Sequence, residues 1–366
     1  MKESVVLNSN FLASKEYASH ITERLLTEYR ISPSAYDDSV KRGLRNSDGS
    51  GVVAGVSKIG SVQGYYIVDG QRVPQEGKLY YRGYDIQEIV AAHRAAGTFG
   101  YEEVAYLLLI GSLPTSEQEQ RFIETLSAAK ALPEGFFENE VMKRPSRNIM
   151  NALARCVQAL YAYDDNADDV SVANVLRQSV ELIARLPTIV AQTYAMKRHH
   201  YDNTSLYIHY PKTELTLAEN FLRLARPDKS YTDKEAKLLD ALLMLHAEHS
   251  GGNNSTFVCR AVTSTGSDTY GAIAAAINSL KGPLHGGANA QVMHQYTDIR
   301  DHVRHLDDED ELRAYLTKLL DGEAGDGSGK IYGLGHAVYT LSDPRAEMIK
   351  EKARSLAVDK GRLEDL

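Results

Sequence analysis

The stretch TDKEAKLLDALLMLHAEHSGGN, residues 232–253, reads as one helix with a marked start and a marked end. Thr232 followed by Glu235 is a capping box, in which hydroxyl and carboxylate satisfy each other's backbone N–H groups. Behind it Leu238, Leu242, Leu245 and His249 fall at i, i+4, i+7 and i+11, which places them on one helical face. His249 therefore ends an apolar stripe and is predicted to point into protein. Two glycines follow it and close the helix.

The same signals recur outward from this stretch. Residues 15–30 and 34–44 carry helical spacing, and Thr115 with Gln118 forms a second capping box after Pro114. The acidic run 307–311 reads as a helix N-terminus, and YDDNADD (163–169) as a solvated loop. Only residues 51–86 lean toward β structure, with Asp69-Gly70 between YYIV and QRV as a hairpin turn. The βαβ rhythm of a doubly wound sheet and the GxGxxG turn are both missing. The expected class is mainly α with a small N-terminal β-hairpin region.

Composition narrows the function. Of 366 residues, 43% are hydrophobic and 25% charged, an ordinary globular profile with length for a real core. The net charge of −8 argues against a nucleic-acid-binding surface. No apolar run reaches the ~18 residues of a membrane span. The first twenty residues lack the apolar region of a signal peptide, so the expected location is cytoplasmic. Two cysteines, Cys156 and Cys259, make no disulfide framework, and Cys156 sits in an apolar helical run that reads as core.

Three histidines stand in glycine-rich settings where helices end or begin: HAEHSGGN (246–253), PLHGGAN (283–289) and GLGHAVY (333–339). Glycine lets backbone come close and leaves a side chain uncovered, which a histidine meeting a substrate carbonyl needs. His285 precedes a new helix. At the positive end of a helix dipole, a neutral imidazole suits the role of hydrogen-bond donor to a forming enolate. His336 is followed nine residues later by Arg345. An arginine fork takes a carboxylate bidentately while a histidine polarises a ketone, a pairing that fits a small keto-dicarboxylate. Asp343 and Pro344 would shape the turn that aims Arg345. A metal centre fits less well: HAEH is not HExxH, and no third ligand stands at helical spacing, so no metal is expected.

These segments, together with KLYYRGYDI (78–86) and TFGYEEVAYLLLIGSLPT (98–115), resemble the citrate synthase family from about residue 50 onward. The resemblance implies a nearly all-helical homodimer with a large domain, here 1–284, and a small mobile domain, here 285–366. It implies a reaction joining an acyl-CoA to oxaloacetate with no further cofactor, the CoA thioester being a substrate. Acetyl-CoA would give citrate, as in the tricarboxylic acid cycle; propionyl-CoA would give 2-methylcitrate. By position, His285 matches the enol-stabilising histidine and His336 the one that polarises the ketone. His249 and Arg345 match oxaloacetate-binding residues, and Lys330, Ile331, Tyr332 and Gly333 the loop that cups the adenine of CoA. Leu334 and Thr340 depart from the family pattern, the latter where a basic CoA-phosphate contact is common.

In the family the base that removes the acyl α-proton is an aspartate well downstream of the GHAVY motif. The 21 residues after Arg345 contain no match to it, so the expectation is a natural chain that continues. Two other readings stay open: a lyase running related chemistry backward, and a non-catalytic acyl-CoA-binding protein. The Gly-, Asp- and Ser-rich segment 322–329 reads as a flexible lead-in to the CoA loop, with no apolar anchor.

Overall fold

The structure, a computed structural model, describes residues 57–69, 71–334, 338–339 and 341–362. All lie in one unit, Ala54–Leu366. The helices expected over 15–30 and 34–44 lie outside the described residues.

The chain enters through a hairpin. Strands β1 (Gly60–Val68) and β2 (Gln71–Tyr81) pair antiparallel, Val68 opposite Gln71, and the short β3 (Tyr84–Asp85) adds to β2. The loop is the expected two-residue one, with Asp69 in the left-handed region at φ 50°. The ladder breaks its register between Gln63 and Tyr65, opposite the stretch around Gly77.

Helices follow: α1 (Ile86–Ala96), α2 (Tyr101–Ile110), α3 (Ser116–Ala129), α4 (Ile149–Ala159), α5 (Val172–Asp202) and α6 (Leu217–Ala225). Then come α7 (Asp233–His246), α8 (Asn254–Thr263), α9 (Thr269–Leu280), α10 (Ala288–His302), α11 (Glu309–Leu320) and α12 (Pro344–Asp359). The fold is mainly α, with one small sheet among the described residues. Both expected capping boxes form: Thr115 with Gln118 starts α3, and Thr232 with Glu235 starts α7. Asp308 caps α11 by accepting from Asp310 and Glu311 N–H, as the acidic run predicts.

One core sits between α4, α5 and α9, where Leu153, Cys156, Val157, Ile189, Tyr270 and Ile277 are buried together. A second joins the hairpin to α1, α2 and α7 through Leu79, Tyr81, Val90, Leu107, Met244 and Leu245. Each fully buried large apolar side chain contributes roughly 1.5–3 kcal/mol of transfer free energy. Buried polar groups tie the helices end to end. Asp240 of α7 accepts from Gly100 and Tyr101 N–H at 2.8 and 3.1 Å, capping α2. Glu102 of α2 accepts from Leu217 N–H at 2.8 Å, capping α6. Lys130 donates to the Leu215 carbonyl at 2.5 Å.

Two expectations are corrected. Helix α7 ends at His246, one turn before His249, and its buried face is Ala236, Asp240, Ala241, Met244 and Leu245. Leu238 and Leu242 are only half-buried, because α7 packs against four helices, α1, α2, α6 and α12, rather than along one face. The 163–169 stretch is also more than a solvated loop. Asp164 is a hub that accepts from Arg177, Gln178 and Tyr270, all at 2.8–2.9 Å. Burial alone would raise its pKa. The bonds from Gln178 and Arg177, with Asn166 N–H and Tyr270, outweigh that and hold it at about 2.

Candidate active site

His249 lies on the turn between α7 and α8. The turn is made by Ser250, a non-glycine residue at φ 67°, while Gly251 and Gly252 are not among the positive-φ glycines. Asn253 holds it: its amide donates to the Ser250 carbonyl at 3.0 Å and its oxygen caps α8 through Thr256 N–H. From below, the buried Tyr81 hydroxyl donates to the Met244 carbonyl and accepts from Glu248 N–H, at 2.9 and 3.2 Å.

Arg345 arrives from the other end of the described chain. Asp343 caps α12, accepting from Arg345 N–H at 2.9 Å, and Pro344 occupies the first helical turn. The same carboxylate takes Arg345 Nε at 3.0 Å and Nη2 at 2.7 Å, so the expected aiming of Arg345 is a two-point grip. Tyr339 brings the two substrate-binding candidates together. Its ring meets His249 edge-on with centroids 5.7 Å apart, and the Arg345 guanidinium lies 5.9 Å from the same ring centroid.

His285 stands two residues before Gly287, the N-cap of α10, as its motif predicts. Its Nε2 lies 2.8 Å from the Ser255 hydroxyl, in the first turn of α8. The glycines after it answer to close approach: a Cβ on Gly287 would stand 2.4 Å from the Lys281 carbonyl oxygen. Thus His285 is tied to the start of α8, the helix that follows the His249 turn.

The loop Lys330–Gly333 folds back on α10. Gln295 accepts from Tyr332 N–H and donates to the Lys330 carbonyl, both at 2.9 Å. Beside it Gln291, His294, Asp298, Asp326 and Tyr332 line an open cleft. The lead-in is anchored, against expectation. The Tyr332 hydroxyl donates to Asp326 at 2.7 Å, Asp326 accepts from Ser328 N–H, and Gly325 stands so close to Leu319 that a Cβ would lie 2.7 Å from its Cδ2. His336 and Thr340 lie outside the described residues. His246 turns its Nδ1 to the Leu242 carbonyl at 2.7 Å, and among the described residues no cluster of His, Cys, Asp or Glu could hold a metal ion.

The family model for "Citrate synthase, C-terminal domain" matches residues 48–366. The chain belongs to the citrate synthase family. It is 35% identical to citrate synthase of Haloferax volcanii over 321 residues, 87% of this chain and 74% of that protein. It is 32% identical over 325 residues to 2-methylcitrate synthase 1 of Corynebacterium glutamicum, 88% of this chain and 75% of that one. The solved ternary complex of Thermoplasma acidophilum citrate synthase with carboxymethyl coenzyme A and oxaloacetate superposes with a TM-score of 0.66. It is 25% identical and covers 92% of this chain and 78% of that one. The chain spans about three quarters of the length of each of these two relatives.

Sequence reasoning missed Ser255, Tyr339 and Gln295. Ser255 could have been suspected from the Asn253 cap signal, which fixes α8 immediately after His249. Tyr339 and Gln295 gave no local signal, because their partners come from distant segments.

Proposed function

We propose that this citrate synthase family member condenses an acyl-CoA with oxaloacetate, acetyl-CoA giving citrate. One observation carries the reading: His249 and Arg345 converge on the Tyr339 ring while Ser255 ties His285 to the start of α8, the helix that follows the His249 turn.

In the proposed site Arg345 and His249 bind oxaloacetate, and His336 polarises its ketone. His285 receives the charge that develops on the thioester oxygen. When the Ser255 hydroxyl donates to Nε2, the proton of the neutral ring sits on Nδ1, and that N–H faces the enol. A thioester α-proton is far less acidic than a carboxylic acid, so removal succeeds only if the enol is held at once. Proton removal itself needs a base beside the acyl α-carbon, a role the family resemblance gives to an aspartate. Condensation then joins the enol carbon to the ketone carbon, and water releases CoA from the thioester.

For CoA we assign Lys330, Ile331, Tyr332 and Gly333. Asp298 and Asp326 line the neighbouring cleft, so its phosphates belong on the Lys330 side rather than in the cleft. The two-domain division near 284/285 and a homodimer belong to the same reading. Supporting the dimer, α8 carries no buried residue although Phe257, Val258, Cys259, Ala261 and Val262 make half of it apolar. The cytoplasm, where both substrates are soluble, is the proposed compartment. Among the described residues no helix is long and apolar enough to cross a membrane.

The test is CoA release by the protein with oxaloacetate and either acetyl-CoA or propionyl-CoA. Faster turnover of acetyl-CoA supports the reading. Preference for propionyl-CoA moves the assignment to 2-methylcitrate, which the Corynebacterium relative favours. No release with either substrate supports acyl-CoA binding without catalysis.

A further inference from the structure

The hairpin breaks its ladder where one would expect regular pairing. Gln63 pairs with Lys78 and Tyr65 with Pro74, leaving Gly64 on one strand and residues 75–77 on the other out of register. The segment carrying Tyr339 and Arg345 presses into that break. A Cβ on Gly64 would stand 2.5 Å from the Val338 carbonyl oxygen and 3.0 Å from Tyr339 Cα. One on Gly77 would stand 2.3 Å from the Ser342 carbonyl oxygen and 2.8 Å from Tyr339 Cδ1 and Pro344 Cδ. Real Cβ atoms do not approach that closely, so both positions require glycine while the segment sits there.

Hydrogen bonds replace the lost ladder. Gly77 N–H donates to the Ser342 hydroxyl at 3.2 Å, and that hydroxyl donates to Glu76. The Tyr339 hydroxyl reaches the Lys78 carbonyl at 3.4 Å, a long contact that holds the ring weakly compared with its burial, 5% exposed. The other half of the site rests on the same hairpin. Tyr81 of β2 holds the backbone on either side of the α7 end, and Gly60 of β1 lies so near Glu248 that a Cβ would meet it at 2.6 Å. One small sheet therefore touches the His249 turn and the Arg345 segment, which lie about a hundred residues apart in the chain.

We propose that the β1–β2 hairpin is the positioning element of the oxaloacetate site: Gly64 and Gly77 seat Val338, Tyr339 and Ser342, and the Tyr339 ring sets Arg345 against His249. This rests on the assignment of His249 and Arg345 to substrate binding. Tyr339, Gly64 and Gly77 act through those residues. Small misplacement of such groups costs binding and orientation steeply, since a shift near 1 Å loses ~10²-fold in a well-fitted site.

The experiment compares Tyr339→Leu, Tyr339→Phe, Gly64→Ala and Gly77→Ala with His249→Ala and Arg345→Ala, all in the full chain. Oxaloacetate KM, acyl-CoA KM, kcat and thermal midpoint are measured for each. Tyr339→Leu and the two alanine variants are expected to raise oxaloacetate KM by about tenfold or more, with acyl-CoA KM within about threefold of the parent. Tyr339→Phe keeps the ring and is expected to restore oxaloacetate KM to within about twofold. A merely structural role would lower the thermal midpoint without that split between substrates. If His249→Ala and Arg345→Ala raise oxaloacetate KM while a folded Tyr339→Leu leaves it unchanged, the site stands and the positioning role is overturned. If His249→Ala and Arg345→Ala leave it unchanged, the site assignment fails and this inference fails with it. Should either glycine variant not fold, the Tyr339 pair decides.

Discussion

The α4–α5–α9 core and the helices around the site are built to different densities. In the core Cys156, Val157 and Ile189 are fully buried, and Asp164 is satisfied by three side chains from two other segments. Around the site, α8 and α10 bury no residue at all, and Met293 and Tyr296 of α10 are each 61% exposed. The stacked pair His302–Tyr315 and the Tyr315–Asp298 hydrogen bond link α10 to α11. Closely packed interiors have one arrangement, whereas lightly covered helices retain room to take up ligand or a partner surface. The histidines lie beside the lightly packed helices: His249 on the turn that leads into α8, and His285 just before the N-cap of α10.

The largest expected effect breaks this comparison directly. Ile189→Ala in the core should cost about 2–5 kcal/mol, and Met293→Ala on α10 should stay within about 0.5 kcal/mol. Urea unfolding of both variants checks it. Equal losses would mean that α10 is as firmly packed as α5.

The next effect is chemical rather than structural. His285→Ala should lower kcat by about 10²-fold or more, near 2.7 kcal/mol, with oxaloacetate affinity almost unchanged. Ser255→Ala should follow in the same direction with about a tenfold loss, since it frees the imidazole to turn. Steady-state kinetics with both substrates varied separates these. Lost oxaloacetate affinity at unchanged kcat would take the enol role away from His285.

Much of this was legible in the sequence, and distance along the chain explains what was not. The caps at Thr115, Thr232 and Asp308 and the Asp69-Gly70 turn are set by neighbours within a few residues, so their chemistry is written locally. His285 was legible for the same reason, since a helix start and two tightly placed glycines define it. Asp164 reads as one acid among several, because the Tyr270 that satisfies it is 106 positions away. The hairpin was read as a fold detail, and nothing in its strands announces that Gly77 bonds Ser342 across 265 positions. The α7 face was misread because an apolar period reports that a helix has a buried side but not how many neighbours it has.

A smaller effect tests the core half through its acid hub. Asp164 is held at about 2 when folded, below the ~3.9 of an unfolded aspartate. Its contribution is therefore complete above about pH 4 and is lost as pH falls from there through about 2, on the order of 1–2 kcal/mol. Asp164→Asn should be less stable than the parent at pH 6, and the gap should close below about pH 3. A gap independent of pH would mean that packing, not the charge, is what Asp164 supplies.

The smallest effect lies at the edge of the lightly packed half. The segment 322–329 has glycines at 322, 325, 327 and 329 in the left-handed region, where residues with side chains could not follow that path cheaply. It is nevertheless tied down: Asp326 bonds Ser328 and Tyr332, and Gly325 rests on Leu319. A lid with this many internal bonds has little disorder to lose when ligand arrives. Hydrogen exchange should thus show the 322–334 amides slowing by only about threefold to tenfold when oxaloacetate and an unreactive CoA analogue bind together, up to about 1.4 kcal/mol. The α5 amides around the fully buried Ile189 are expected to exchange through global opening, and should slow by no more than the stabilisation that binding gives the whole protein. Slowing beyond about a hundredfold in 322–334 would show a segment that is loose before binding and would place its bonds to Asp326 in the closed state alone. No slowing at saturating ligand would remove this loop from the CoA site and leave Lys330 a surface residue.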